Sequence, residues 1–589
     1  MDGITTFYTQ QRDKHNEELQ RLKKQLALLA SLRLLVFVAT GLAMYFLWTT
    51  SLVYWIFPLG LAGFLYLVSR YTDLKWQKGY VERLIAINNT ELEVAARRFH
   101  HLPDGKEFLV PEHPYAQDLD LFGRGSFYQY ANRTALKQGS QVFAGLLLDG
   151  YPKDIVKKQE AVQELAQMSE WRQRFSALAG GTHPEVPHHV VSKWLKEHVV
   201  FVPKWIKYVA PAFALGSIGL IIAAVSGWIP EALVLYWYLV GIGIVGRYGK
   251  NILRFSLDVS KAQDTIEQYQ KLISELEQKE FTSELLQDLQ QKLILDGEKT
   301  SQILKKFTRH MAMLDQQNNL LIMMFGQGLA LWSLYFAYQV EDWVGKYGKQ
   351  VEGWFEAIAY FDAYNSLGNY AFNHPDHTYP QITDGPMTLQ SKAVGHPLVD
   401  PKKNVLNDFS LDEGRFSIVT GANMAGKSTF LRAVALQIVM ANMGLPVKGK
   451  EVKYRPVRLL TSMRSSDSLA DETSYFYAEL KRLKYIVDEL EKGNCFVVLD
   501  EILKGTNSVD KAEGSKKFVE KLVRSGATGL VATHDLSLCT LADKLPQVEN
   551  HYFDAQIVNG ELYFDYRFKE GICQNMNASF LLKKMGIVG

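Results

Sequence analysis

From Leu34 to Ser69 the chain carries no charged residue; this aromatic-rich run, with Thr49, Thr50 and Ser51 near its middle, is too long for one ordinary core helix. A bilayer core takes roughly 20 residues of helix, so the run fits two short spans joined by a tight turn. The pattern occurs twice. Tyr208 to Pro230 is also free of charge, and beyond Glu231 a second apolar stretch runs from Ala232 to Gly246, with Trp228, Ile229 and Pro230 as the turn. Arg12, Lys14, Arg21, Lys23, Lys24 and Arg33 precede the first hairpin, and Arg70, Lys75 and Lys78 follow it. Lys204 and Lys207 precede the second, Arg247, Lys250 and Arg254 follow it, and neither turn contains Lys or Arg. Basic flanks stay cytosolic. The expectation is a multi-pass protein of the cell (inner) membrane, with four transmembrane helices in the lipid bilayer and every large soluble segment in the cytoplasm. A pair of buried hairpins in a soluble protein is the weaker alternative, because apolar runs this long rarely serve only as a core. A cleaved signal peptide fits poorly, since a long charged segment precedes the first apolar run. A third run, Leu320 to Tyr338, includes Gln327 and Ser333 and reads as a core helix. As a single odd span it would put the segments before and after it on opposite sides.

Length and composition bound the rest. A chain of 589 residues exceeds what one hydrophobic core organises, so two or three structural units are expected. With 47% hydrophobic and 22% charged residues it is neither disordered nor collagen-like, and only three cysteines argue against a disulfide framework or a cysteine zinc site. Sixty-five Lys and Arg against 63 Asp and Glu leave +2, which does not mark a nucleic-acid binder. Between Leu257 and Gln317 apolar residues such as Ile266, Tyr269, Ile273 and Leu276 recur at helical steps among charges, predicting long amphipathic helices. His374 to Pro386, rich in Pro, Asp and His, marks a boundary. After it, short apolar runs (Phe416 to Thr420, Cys495 to Asp500, Gly529 to His534) alternate with helical patterns, which predicts a parallel sheet covered on both faces.

Gly421, Ala422, Asn423, Met424, Ala425, Gly426, Lys427 and Ser428 satisfy GxxxxGK[ST], follow a predicted strand and, with Thr429, open a helical pattern. The glycines let backbone N–H groups approach phosphate oxygens, Lys427 reaches the β- and γ-phosphates of ATP, and the Ser428 hydroxyl can ligate Mg²⁺. The strand CFVVLD ends in Asp500 and Glu501 at the same edge of the sheet. Asp500 suits the Mg²⁺ position, and Glu501 is placed to orient or deprotonate an attacking water. His534, closing the next strand, is placed to sense the γ-phosphate.

These motifs resemble the MutS family of DNA mismatch-repair ATPases, relatives of the ABC-type nucleotide-binding domains. GANMAGKST is similar to the family's phosphate loop, Leu499 to Asp510 to its Walker B and following loop, and VATHDLSL to its histidine motif. Asp471 to Leu480 resembles the segment that presents a serine to the opposite subunit's nucleotide. The resemblance implies that Ser474 acts in trans, that Glu479 supports its segment, and that Asn407 lies near the base. The tail from Asn575 resembles the family's closing helix, His113 to Leu148 the start of its core, and Phe361 to Ile382 the return of that core into the ATPase. Ala422 replaces the family's usual proline, Ala425 a glycine and Lys504 an arginine, and Asn404 stands where an aromatic commonly stacks on adenine. No mismatch-reading amino-terminal domain is found.

The fold class expected is an α/β P-loop (ABC-type) ATPase domain at the C-terminus, preceded by a mostly α-helical MutS-like core or lever region interrupted by two transmembrane hairpins. The boundaries are 1–33 (an amphipathic helix), 34–69 (first hairpin), 70–207 (helical region with the start of the core), 208–246 (second hairpin), 247–382 (lever and core) and 383–589 (ATPase). The resemblance implies a homodimer that hydrolyses ATP with Mg²⁺ and binds DNA, mismatched or branched. The rival is a membrane-remodelling or transport-associated ATPase that does not bind DNA.

Overall fold

The computed structural model describes residues 2–151, 153–181, 186–295, 297–463, 475–558 and 561–574. Its amino-terminal part is helical. One helix, Asp2–Phe46, runs unbroken from the charged segment into the apolar one. Residues 47–52 turn the chain, and a second long helix, Val53–Ala95, returns through the basic flank. The later pair is Ile206–Val225 and Ala232–Glu277, the latter reaching far beyond its apolar stretch. All four are long and apolar enough to cross a membrane. Their apolar windows are almost wholly unburied by protein, the most covered being 17% buried.

The charged ends of both pairs are tied to the helical core. Tyr8 Oη donates to Asn373 Oδ1 at 2.7 Å, and the Glu91 carboxylate accepts from Asn373 Nδ2 and Arg133 Nε, both at 2.7 Å. Ahead of the second pair, Glu341 accepts from the Phe201 and Val202 backbone amides at 3.0 and 2.9 Å. The Val351–Asn373 helix, buried along most of its length, is the centre of this core. Its Asp362 carboxylate caps the Lys137–Leu148 helix through the Ala135 and Leu136 amides at 3.1 and 2.8 Å, and complete burial raises that carboxyl to about 7. Residues 113–118 dock on the C-terminal domain: Thr461 Oγ1 donates to Asp118 Oδ2 at 2.5 Å and Arg482 reaches the His113 carbonyl at 3.1 Å.

The reading of Leu320 to Tyr338 as one core helix is corrected. The segment is a π-helical turn, Ile322–Gly326, then Gln327–Ala330, then Leu331 in the left-handed region (φ 49°), and only then a helix, Trp332–Tyr347. Leu331 and Leu334 are buried, whereas Leu320, Leu321, Met323, Met324 and Phe325 are exposed. Hydropathy averages over such a break and does not detect it.

The C-terminal domain is an α/β unit built on a six-stranded sheet. Its order is Glu561–Glu570, Val548–Val558, Phe416–Gly421, Thr528–Ala532, Cys495–Asp500 and Arg458–Ser462; all neighbours are parallel except the first pair. Successive residues of Cys495–Asp500 serve opposite faces. Phe496 and Val498 pack with the Lys427–Asn442 helix side, while Val497 and Leu499 pack with Leu483, Ile486, Val519 and Leu522 from two helices on the other. Burial on both faces is why these strands read as continuous apolar runs. A smaller four-stranded sheet, with Met387–Val394 at its centre, flanks the domain.

Candidate nucleotide site

Three parallel strands bring their C-terminal ends to one edge. In register, Ala532 pairs with Val419 on one side and with Asp500 on the other, so the residues after each strand emerge side by side. The phosphate loop follows Phe416–Gly421, and the helix Lys427–Asn442 starts directly from Gly426. Gly421 and Gly426 hold φ of 146° and 100°, and a Cβ on Gly421 would run into the Phe553 carbonyl, so the loop's path depends on glycine at that point.

The predicted residues Asn423, Met424, Gly426, Lys427, Ser428, Thr429, Asn407, Asp500, Glu501 and His534 line one cleft of about 890 Å³; Gly421 closes the strand beneath it. Lys427 is buried, and its Nζ donates to the carbonyls of Gly421 at 2.7 Å and Ala422 at 3.0 Å and lies 3.4 Å from His534 Nε2. Burial holds its amine below the ordinary value, with Asp500 and Glu501 pulling the other way. A buried ammonium at a helix N-terminus, beside glycine-rich backbone, is a phosphate-binding arrangement. The Ser428 hydroxyl and Asp500 carboxylate are hard oxygen donors of the kind Mg²⁺ takes.

Glu501 has left-handed backbone (φ 50°), its N–H donates to the Ala532 carbonyl at 3.0 Å, and its Oε1 lies 2.6 Å from His534 Nε2. That pairing, with Lys504 and Lys511 nearby, holds the carboxyl down at about 2. Its place in the cleft suits either of the two roles expected of it, orienting a water or taking its proton. Because the folded value lies below the ordinary 4.5, the pairing stabilises the fold fully above pH 4.5 and is lost as pH falls toward 2. In His534→Ala the acid-unfolding midpoint, followed by circular dichroism, is therefore expected at higher pH than in the parent; coincident midpoints would remove His534 from this role.

Asn407 lines the cleft, but its amide is committed to the neighbouring strand: Nδ2 donates to the Tyr566 carbonyl at 3.0 Å and Oδ1 accepts from Phe568 N–H at 2.8 Å. Glu479 is buried and grips the loop after Glu501, accepting from the Leu503 and Lys504 amides at 2.6 and 3.0 Å. Replacing it by alanine leaves two backbone donors unpaired, at about 1–3 kcal/mol each if they stay buried. Glu479→Ala is expected to lower the thermal midpoint and to lose nucleotide turnover with it; full turnover in this variant would separate the loop from the chemistry. Ser474 and the tail from Asn575 lie outside the described residues.

Sequence reasoning missed several cleft residues, among them His396, Tyr563, Phe564 and Tyr566. Tyr566 (φ 53°) brings its ring against Gly426. None belongs to a phosphate-loop motif, and only the pairing of Glu561–Glu570 with Val548–Val558 carries three of them to the site.

Residues 417–583 match the family described as MutS domain V. "MutS protein homolog 4" of Homo sapiens is 30% identical over 213 residues, 34% of this chain and 22% of that protein. "DNA mismatch repair protein MutS" of Syntrophomonas wolfei is 35% identical over 202 residues, 33% of this chain and 23% of the relative. The protein of the same name from Thermotoga petrophila is 32% identical over 238 residues, 39% and 29% respectively. The chain thus spans less than a third of the length of these curated relatives.

Proposed function

We propose, since this chain is a MutS-family protein through its C-terminal domain, that it is a membrane-attached ATPase that binds and hydrolyses Mg·ATP as a dimer and acts on DNA in mismatch-repair-related work. The observation that supports the enzyme reading is the convergence of Lys427, Ser428, Asp500, Glu501 and His534 on one cleft. Lys427 and the loop amides would bind the phosphates, and Ser428 and Asp500 would hold Mg²⁺, which when bound neutralises charge developing between the β- and γ-phosphates. Glu501, oriented by His534, would position the attacking water. Ser474 of one copy would complete the site of the other. DNA enters through the relatives, two of which carry mismatch repair in their names. Membrane attachment is supported by four exposed apolar helices with basic flanks, which favour the cytoplasmic face of the inner membrane.

One observation favours a second reading. The long helices that leave the core end in apolar, unburied spans, so their far ends suit lipid better than nucleic acid. In that reading the chain is a membrane-remodelling or transport-associated ATPase that does not bind DNA. Filter binding of the full chain in detergent to duplex DNA at several salt concentrations separates the two. A DNA-acting protein must bind and lose affinity as salt rises; no binding at low salt leaves the second reading.

A further inference from the structure

The broken segment before Leu331 packs on the second apolar hairpin, within its charge-free part. Gly241 meets Gly328 backbone to backbone, and a Cβ on Gly328 would enter the Tyr238 ring. Tyr238 Oη donates to the Met324 carbonyl at 2.8 Å. Tyr238 lies nine residues before Arg247, the next charge along that helix, which is roughly 14 Å of helix rise.

The backbone groups freed by the break are satisfied by side chains. A continuous helix would give the Ser333 amide to the Leu329 carbonyl; instead that amide goes to Gln327 Oε1 at 3.3 Å, which also accepts from Ser333 Oγ at 2.7 Å. The Leu329 carbonyl is met by Ser217 Oγ at 2.7 Å, and Ser217 in turn accepts from Trp237 Nε1 at 2.9 Å. Leu331, Ser333 and Ser217 are buried, so these groups need partners whatever lies outside, and a break satisfied in this way is also one that lipid tolerates. The outward face is Leu320, Leu321, Met323, Met324 and Phe325, 47–65% exposed and continuous with the hairpin's own uncovered surface. On both sides the chain returns to the soluble core: Trp332 Nε1 donates to the Met313 carbonyl at 2.7 Å and Trp343 Nε1 to that of Ile303 at 3.1 Å.

We propose that residues 319–331 are a fifth membrane-contacting element, a short half-depth helix seated on the second hairpin whose exposed face takes the acyl chains of one leaflet. It enters and leaves on the same side, so the four-span topology is unchanged. The proposal rests on the reading that the hairpins lie in a bilayer.

The test places bimane on Phe325→Cys, on Ile222→Cys of the hairpin and on Val509→Cys of the soluble domain, all exposed positions. The native cysteines are replaced by alanine and the full chain is reconstituted in phosphatidylcholine–phosphatidylglycerol vesicles. Quenching by 5-doxyl lipid and by aqueous iodide is then compared. The expected result is several-fold stronger lipid than iodide quenching at 325 and 222 and the reverse at 509. Lipid quenching at 222 with iodide quenching at 325 overturns the fifth element and leaves the hairpins in lipid. Protection of 325 from both quenchers also overturns it, because protein then covers the face. Failure at 222 as well overturns the membrane reading itself. In a chain with its cysteines intact, benzoylphenylalanine at position 325 is expected to gain the mass of one phospholipid on illumination; adducts to protein alone contradict the proposal.

Discussion

Glu501→Gln is expected to cut ATP turnover by about 10²–10⁴-fold, the usual worth of a group that acts on the proton or orientation of an attacking water, while Mg·ATP binding survives. The substitution keeps the side chain's shape and removes its charge. In the structure that charge faces His534 Nε2 at 2.6 Å and Lys504 Nζ at 3.7 Å, and the carboxyl lines the same cleft as Lys427. Loss of the charge should leave the phosphate loop unchanged, because Lys427 is held chiefly by the Gly421 and Ala422 carbonyls. Steady-state phosphate release and equilibrium nucleotide binding, measured on the same preparation, check both halves. Unchanged turnover would take the chemistry away from Glu501; lost binding would make the residue part of the phosphate cradle instead.

Lys427→Ala acts on the other half. Truncating one member of a buried, hydrogen-bonded charge pair typically costs about 2–5 kcal/mol, roughly thirty- to several-thousand-fold in dissociation constant. Mg·ATP affinity in this variant is expected to fall by that factor, measured by isothermal titration. The melting temperature of the nucleotide-free protein should hardly drop, since burial already disfavours the ammonium. Wild-type affinity would mean that the nucleotide uses another surface. A collapsed melting temperature would make Lys427 a structural residue.

The parts legible in the sequence are those whose physics is local. Cys495–Asp500 and Thr528–Ala532 are buried on both faces, so they appear as continuous apolar runs, and the phosphate loop between Phe416–Gly421 and its helix is a contiguous motif. The apolar hairpins are visible because charge vanishes and then returns. What stayed hidden is set by tertiary register or by one dihedral. Asp2–Phe46 is a single helix because composition changes along it while the backbone does not. Leu331 at positive φ divides a run that hydropathy treats as one. Tyr566 reaches the cleft only because its strand folds back beside Val548–Val558, and Asn407 is drawn to that strand's backbone by contacts 159 and 161 residues away.

On the proposed reading, nucleotide binds in the cleft at the edge of the parallel sheet. Equilibrium dialysis of the purified chain in detergent against labelled ATP with Mg²⁺ tests this most directly. The predicted result is saturable retention approaching one nucleotide per chain, strongly weakened by Lys427→Ala. No retention at millimolar nucleotide, or retention indifferent to that substitution, would contradict it.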